Sequence, residues 1–210
     1  MCVPASLLRA DALANLGYSE GDLDDKTQET LHSALDHIAE WSVYKQYYCY
    51  LKDLPATPDF LQQVSYKSIQ GKLDTALLFA ATLGLGIDQR IRRLSLSRLS
   101  EAVVLNAVAN AYLEARTDLF IKEILPGAVL FCPGYAGTSP EDNRSVLKLL
   151  DAQKHLGIYP KDSGLMLPEK SMAGIVVANY RFSCRACNIR SKCDYLRQGK
   201  TCYGTKAAHD

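Results

Sequence analysis

Apolar residues step by three or four through LDDKTQETLHSALDHIAEW: Leu31, Leu35, Ile38 and Trp41 share one face, with charged residues between them. That period is helical. Asp24 or Asp25 suits the N-cap, and acidic side chains in the first turn suit the positive end of the helix dipole. A shorter helix is predicted over residues 5–16 (ASLLRADALANL). SVYKQYYCYL (42–51) is rich in aromatic and β-branched residues and reads as a strand, and Pro55 and Pro58 break the pattern after it. Ser68 is expected to cap a short helix through Leu73. TALLFAATLG, ended by Gly84, is nearly continuous in apolar residues, the pattern of a strand covered on both faces.

Two further helices follow, IDQRIRRL and LSRLSEAVVLNAVANAYLEARTDLFIKEI; the second has a broad apolar face of Leu99, Val103, Ala107, Tyr112 and Leu113 and is stopped by Pro126-Gly127. AVLF (128–131) is a short strand, and Cys132-Pro133-Gly134-Tyr135 a tight turn. Ser139-Pro140-Glu141-Asp142 opens a helix running to Leu150, with Ser as N-cap, Pro at the first helical position and acids in the first turn. SMAGIVVANY (171–180) is a last apolar strand. The alternation of elements argues for a layered α/β or α+β domain. The expectation is α+β: a mixed sheet flanked by helices over residues 1–180, followed by a basic, cysteine-rich appendage over 181–210.

The chain of 210 residues is 48% hydrophobic and 22% charged, with a formal net charge of +1, so its charge suggests neither a nucleic-acid partner nor an anionic membrane. No apolar run approaches the roughly 20 residues of a spanning helix. The apolar part of the N-terminus is too short for a secretory leader, so a cytoplasmic protein is expected. Of the 7 cysteines, Cys2, Cys49 and Cys132 are scattered, the last two reading as small buried hydrophobes. Cys184, Cys187, Cys193 and Cys202 cluster with the spacing Cys-x2-Cys-x5-Cys-x8-Cys. Four thiolates so placed suit zinc or an iron–sulfur cluster. Arg185, Arg190, Lys192 and Arg197 would lower the thiol pKa values and offset the site's negative charge. Free or redox-paired thiols are the alternative. The spacing fits neither the paired Cys-x2-Cys ribbon pattern nor the bacterial ferredoxin run.

Taken alone, CPGYAG is a strand-to-helix turn. Its glycine permits close approach of a ligand and its tyrosine offers a stacking face. In order and spacing, the segments around it resemble the C-terminal activation domain of cobalamin-dependent methionine synthase. The matching residues are Pro133-Gly134-Tyr135, Leu149-Leu150, Lys154-His155-Leu156-Gly157, Lys161-Asp162-Ser163, Met166-Leu167-Pro168 and Ser171-Met172-Ala173-Gly174. The helix containing Ala111-Tyr112-Leu113-Glu114-Ala115-Arg116-Thr117-Asp118 resembles the family helix that carries an acidic ligand-binding residue, and AATLGLGID (80–88) is similar to a stretch of short stand-alone relatives. The resemblance covers roughly residues 65–178.

The resemblance implies an activation-domain-like fold that binds S-adenosylmethionine and presents its methyl group to a corrinoid whose cobalt has been oxidised. One electron from a flavodoxin- or ferredoxin-like donor accompanies the transfer. It places Glu114 at the ligand's amino-acid end, Cys132 and Gly134 against the ligand through backbone groups, and Tyr135 along the pocket. The family arginine that opens the turn motif is Leu130 here, and a leucine cannot pair with a carboxylate. Lys161, in the family's Thr-Glu-Ser segment, is the candidate to supply that charge. The family's later ligand tyrosine has only Tyr180 as a weak counterpart. No corrinoid-binding Asp-x-His-x-x-Gly motif is present, so the corrinoid would be carried by a partner protein.

Within such a system an iron–sulfur cluster could deliver the electron, which favours [4Fe–4S] over zinc at the four cysteines. The expected function is methyltransferase-type reactivation of a corrinoid protein. The alternative is a non-catalytic metal-binding module that docks on a corrinoid protein or methyltransferase. A zinc-stabilised interaction protein is a third. Other residues read more plainly: His155 as a surface or capping histidine, His32 and His37 as solvated, His209 as part of a tail. The tyrosines of YKQYYCYL read as sheet packing and Gly84-x-Gly86 as a helix-entry turn.

Overall fold

A computed structural model describes residues 3–19, 21–135, 138–179 and 190–197. Helices α1 (Ala5–Leu16) and α2 (Asp25–Trp41) open the chain. Asp24 caps α2, its carboxylate accepting from the Thr27 N–H at 2.7 Å. Leu31, Ala34 and Ile38 are its buried stripe. Strand β1 (Lys45–Tyr50) is followed by a run of 3-10 turns and the short helix α3 (Lys67–Gln70). Strand β2 (Leu77–Thr82) leads through α4 (Leu85–Ser95) into the long α5 (Leu99–Ile124) and then β3 (Ala128–Phe131). Helices α6 (Asn143–Leu149) and α7 (Ala152–Leu156), the hairpin of β4 (Tyr159–Pro160) and β5 (Met166–Leu167), and strand β6 (Ser171–Ala178) complete the fold. A helical turn, α8 (Asp194–Arg197), is the last described element.

The main sheet has the order β1-β2-β6-β3, and each neighbouring pair is antiparallel. The expected mixed sheet is therefore corrected to an antiparallel one. The connections explain it. The 3-10 run after Tyr50 returns the chain to Leu77 beside it. The segment after the small hairpin brings Ser171 beside Thr82. β2 and β3 both flank β6 and so run parallel to each other. Helices α4 and α5 carry the chain across from one to the other, and β6 later fills the place between them, antiparallel to both.

Every residue of β2 is buried, as its unbroken apolar run predicts. Leu77, Phe79 and Ala81 face one hydrophobic layer with Leu31, Ile38, Val108 and Tyr112 of the long helices. Leu78 and Ala80 face a second layer with Phe60, Tyr66, Phe131, Val146, Leu150 and Ile158. Full burial of each large side chain contributes about 1.5–3 kcal/mol, so both layers hold the sheet in place. Gly174 permits the close pairing of β6 with β3: a Cβ there would lie 2.3 Å from the Phe131 carbonyl oxygen.

Two local expectations change. Ser42 ends α2 rather than starting a strand; its hydroxyl donates to the Ile38 carbonyl at 2.6 Å, and Val43 N–H donates to Leu83 at 2.9 Å. Ser68 does not cap a helix, because the 3-10 turn Val64–Tyr66 already feeds α3 and Tyr66 occupies its N-cap. Gly84 is the N-cap of α4, in keeping with a helix-entry turn. Among the described residues no helix is long and apolar enough to cross a membrane.

Candidate functional site

β3 delivers the turn at the edge of the sheet. Tyr135 N–H donates to the Cys132 carbonyl at 3.3 Å. Pro133 presets the second position, and Gly134 takes the third with φ +98°, the left-handed geometry that a type II turn demands. Gly134 N–H donates to the Thr138 hydroxyl at 3.0 Å, and that hydroxyl donates to the Tyr135 carbonyl at 2.7 Å. The Gly134 amide is therefore occupied within the turn. Tyr135 stands 49% exposed above it, with Cys132 half-buried.

Tyr66 lies beneath. It is wholly buried, and its hydroxyl donates to the Asp142 carboxylate at 2.9 Å. Its ring meets Phe60 edge-on at 5.3 Å and Phe131 at 5.7 Å. Burial and the neighbouring Asp142 push the Tyr66 hydroxyl well above the ordinary phenol range, with Thr138 exerting a smaller opposite pull, so it remains a donor. Ser139 caps the 3-10 turn Pro140–Asp142, accepting from Glu141 N–H at 3.2 Å. Asn143 is buried and donates to the Gly164 carbonyl at 3.2 Å, which ties α6 to the loop before β5. Its Oδ1 has no hydrogen-bond partner among the described residues.

Glu114 belongs to α5, which packs on β3. Its residue surface reaches water, but the atoms crowding its carboxyl remove much of its hydration. That crowding, with Asp11 of α1 and Asp118 one turn further along α5, pushes its pKa up to about 7. Burial chiefly raises Asp118 as well, and Lys122 partly offsets it. The result is a negatively disposed wall between α1 and α5. On the other side of α5, the Arg116 guanidinium sits over the Tyr44 ring at 4.5 Å and donates to the Tyr112 hydroxyl at 2.9 Å.

The predicted site residues thus form two groups. Gly134 and Tyr135 are organised by Thr138, and Cys132 joins them through its carbonyl, which accepts from Tyr135 N–H. Glu114 is organised by α1 and its own helix. Leu130 pairs with Val176 across the sheet and packs on the long-helix layer. Lys161 is exposed and shapes the β4–β5 loop through its backbone, N–H to Leu165 at 2.7 Å. His155 is exposed and stacks on Tyr47, ring centres 4.0 Å apart, a surface histidine with an aromatic partner on β1. His37 stacks on Trp41 at 5.1 Å, and His32 is exposed beside Asp36.

Of the four clustered cysteines only Cys193 lies within the described residues, half-buried, its carbonyl accepting from Arg197 N–H at 3.2 Å. Cys184, Cys187 and Cys202 lie outside them, as do Tyr180 and His209. No group of three or more metal-ligating side chains occurs among the described residues.

The sequence does not single out Thr138, Tyr66 or Asp11, and it marks Asp142 only as a first-turn acid and Asp118 only as part of the family-like helix. Thr138, three residues after Tyr135, carries a weak local signal as a hydroxyl turn-former. Tyr66 and Asp11 carry none, because their partners are distant in sequence.

An antiparallel α+β domain with a Pro-Gly-Tyr turn at the exposed end of its edge strand defines the structural class. Among solved structures, the chain is similar to the crystal structure of the MetH reactivation domain bound to AdoHcy, with a TM-score of 0.58 and 14% identity over 94% of this chain and 84% of that one. At that identity the likeness shows the fold, and the resemblance read from the sequence extends to it. No family model matches the sequence, and no curated protein matches it.

Proposed function

We propose that the chain is an accessory factor for corrinoid-dependent methyl transfer. It would bind S-adenosylmethionine and reactivate an oxidised corrinoid carried by a partner protein through reductive methylation. The observation that carries the reading is the shared fold: the solved reactivation domain holds AdoHcy, the species S-adenosylmethionine becomes after losing its methyl group. The Pro-Gly-Tyr turn, read from sequence as a family feature, lies on an exposed edge of that fold.

The local chemistry suits such a ligand. S-adenosylmethionine carries an ammonium and a sulfonium, and the Glu114 wall favours cations once ionised. Glu114 would meet the ammonium. With the Gly134 N–H occupied by Thr138, the turn would contact the ligand through carbonyl oxygens of Cys132 and Gly134, which also suits positively charged or donor groups. Tyr135 would lay its ring along the ligand. The protein's task is to hold the methyl group toward the partner and to limit water there. In the reaction the S–CH3 bond breaks, a cobalt–carbon bond forms, and the single electron comes from a flavodoxin- or ferredoxin-type donor.

Cys184, Cys187, Cys193 and Cys202 are proposed as ligands of zinc or a [4Fe–4S] cluster. Metal analysis and the visible spectrum of anaerobically purified protein distinguish the two.

The test of function is to mix the protein with an oxidised corrinoid protein, a low-potential reductant and S-adenosylmethionine. Formation of the methylated corrinoid together with S-adenosylhomocysteine is expected. Reduction without methyl transfer would leave the non-catalytic docking module as the better reading.

A further inference from the structure

The turn that would touch the ligand is closed by backbone hydrogen bonds from Tyr135 N–H to the Cys132 carbonyl and from Thr138 N–H to the Tyr135 carbonyl, and one side-chain hydroxyl adds two more bonds. Thr138 Oγ1 accepts from the Gly134 N–H at 3.0 Å and donates to the Tyr135 carbonyl at 2.7 Å. It therefore holds the peptide groups on either side of the Gly134–Tyr135 peptide and, through them, that peptide and the base of the Tyr135 side chain. The same hydroxyl group neighbours the Tyr66 hydroxyl. Tyr66 is anchored by Asp142, which accepts from its hydroxyl at 2.9 Å, and by the rings of Phe60 and Phe131. Tyr66 belongs to the 3-10 turn ahead of α3, far from the turn in sequence. A wholly buried tyrosine whose hydroxyl reaches a carboxylate has little freedom to move.

We infer that Thr138 is a positioning residue for S-adenosyl ligand binding, braced by the Tyr66–Asp142 pair. It sets the Gly134–Tyr135 peptide, and with it the Gly134 carbonyl, rather than touching the ligand itself. This rests on the function proposed above. The arrangement assigns separate duties to the residues: Gly134 supplies the backbone shape, Tyr135 the contact surface, and Thr138 the angle between them. Removing the Thr138 hydroxyl frees the Gly134 N–H and leaves the turn to its two backbone hydrogen bonds, which loosens the Gly134–Tyr135 peptide.

The experiment compares the full-length protein with Thr138→Val, which keeps the shape, and Thr138→Ser, which keeps the hydroxyl. S-adenosylhomocysteine affinity is measured by calorimetry, and Gly134 amide exchange by NMR in the absence of ligand. Loss of the paired hydrogen bonds predicts about tenfold weaker binding for Thr138→Val and faster Gly134 exchange, with affinity restored to within about threefold in Thr138→Ser. Wild-type affinity in Thr138→Val, or a Thr138→Ser variant as weak as the valine one, would overturn the inference. If Thr138→Val does not fold, Tyr66→Phe serves in its place; weaker binding is expected, and unchanged affinity overturns the brace. If wild-type protein binds no ligand, the proposed function falls, and Gly134 exchange alone decides: slow exchange in Thr138→Val then refutes the positioning role.

Discussion

The two faces of the sheet are covered in different ways. On one, the long helices α1, α2, α4 and α5 lay regular apolar stripes against Leu77, Phe79 and Ala81. On the other, 3-10 turns, the short helices α6 and α7 and a small hairpin cover Leu78, Ala80 and Phe131. Both faces bury an apolar layer, and the irregular face adds specific polar ties between its loops: Tyr66 to Asp142, Gly134 to Thr138, Asn143 to Gly164. The Pro-Gly-Tyr turn belongs to the second kind of structure. The helix stripes and the support of the turn thus belong to opposite sides of one sheet, with Glu114 on the helix side, and mutations in the stripes should separate from mutations in the turn.

The largest expected effect comes from the regular face. Phe79 is fully buried and its ring packs 5.9 Å from Phe120. Phe79→Ala should cost about 3–5 kcal/mol in urea unfolding while leaving ligand affinity of the folded fraction near wild type. A parallel loss of affinity at low denaturant would break the separation.

Gly134→Ala acts on the other face. Its φ of +98° disfavours a side chain, and a Cβ would lie 3.4 Å from Pro140. About 1–3 kcal/mol of destabilisation is expected from the backbone strain, accompanied by weaker S-adenosylhomocysteine binding. An unchanged calorimetric affinity would show that the turn's geometry is not what the ligand reads.

Glu114 gives the smallest change and the most informative pH dependence. Its pKa is raised from 4.5 to about 7. The neutral carboxyl is the form the fold favours, so its contribution is fully present below the unfolded value and is lost as pH rises through about 7. Glu114→Gln cannot ionise. Thermal melts should match wild type near about pH 4 and show the variant more stable at about pH 8, by roughly 1 kcal/mol because the residue keeps contact with water. Ligand affinity should move the opposite way: rising through about pH 7 in wild type as the carboxylate forms, and weak and flat in the variant. A flat wild-type profile would remove Glu114 from the ligand's amino-acid end.

The contrast between the faces also marks what the sequence could convey. Helix α2 was legible from Leu31, Ile38 and its Asp24 cap, and β2 from its apolar run, because local periodicity and burial coincide there. The turn was legible because Pro133 and Gly134 determine their own backbone angles. The sheet's antiparallel order was not, since it depends on where the 3-10 run after Tyr50 returns the chain. Nor was the support of the turn: Tyr66 reaches Asp142 across 76 positions, and no local pattern announces such a pairing. The acidic wall escaped notice for the same reason, since Asp11 meets Glu114 only when α1 packs on α5.

The central claim, that this fold retains an S-adenosyl site at the Pro133-Gly134-Tyr135 turn, is tested most directly by calorimetric titration of S-adenosylmethionine into the full chain purified without oxygen. Micromolar binding, weakened by about tenfold or more in Tyr135→Ala with little change in melting temperature, is the predicted result. No heat of binding up to millimolar ligand would contradict it.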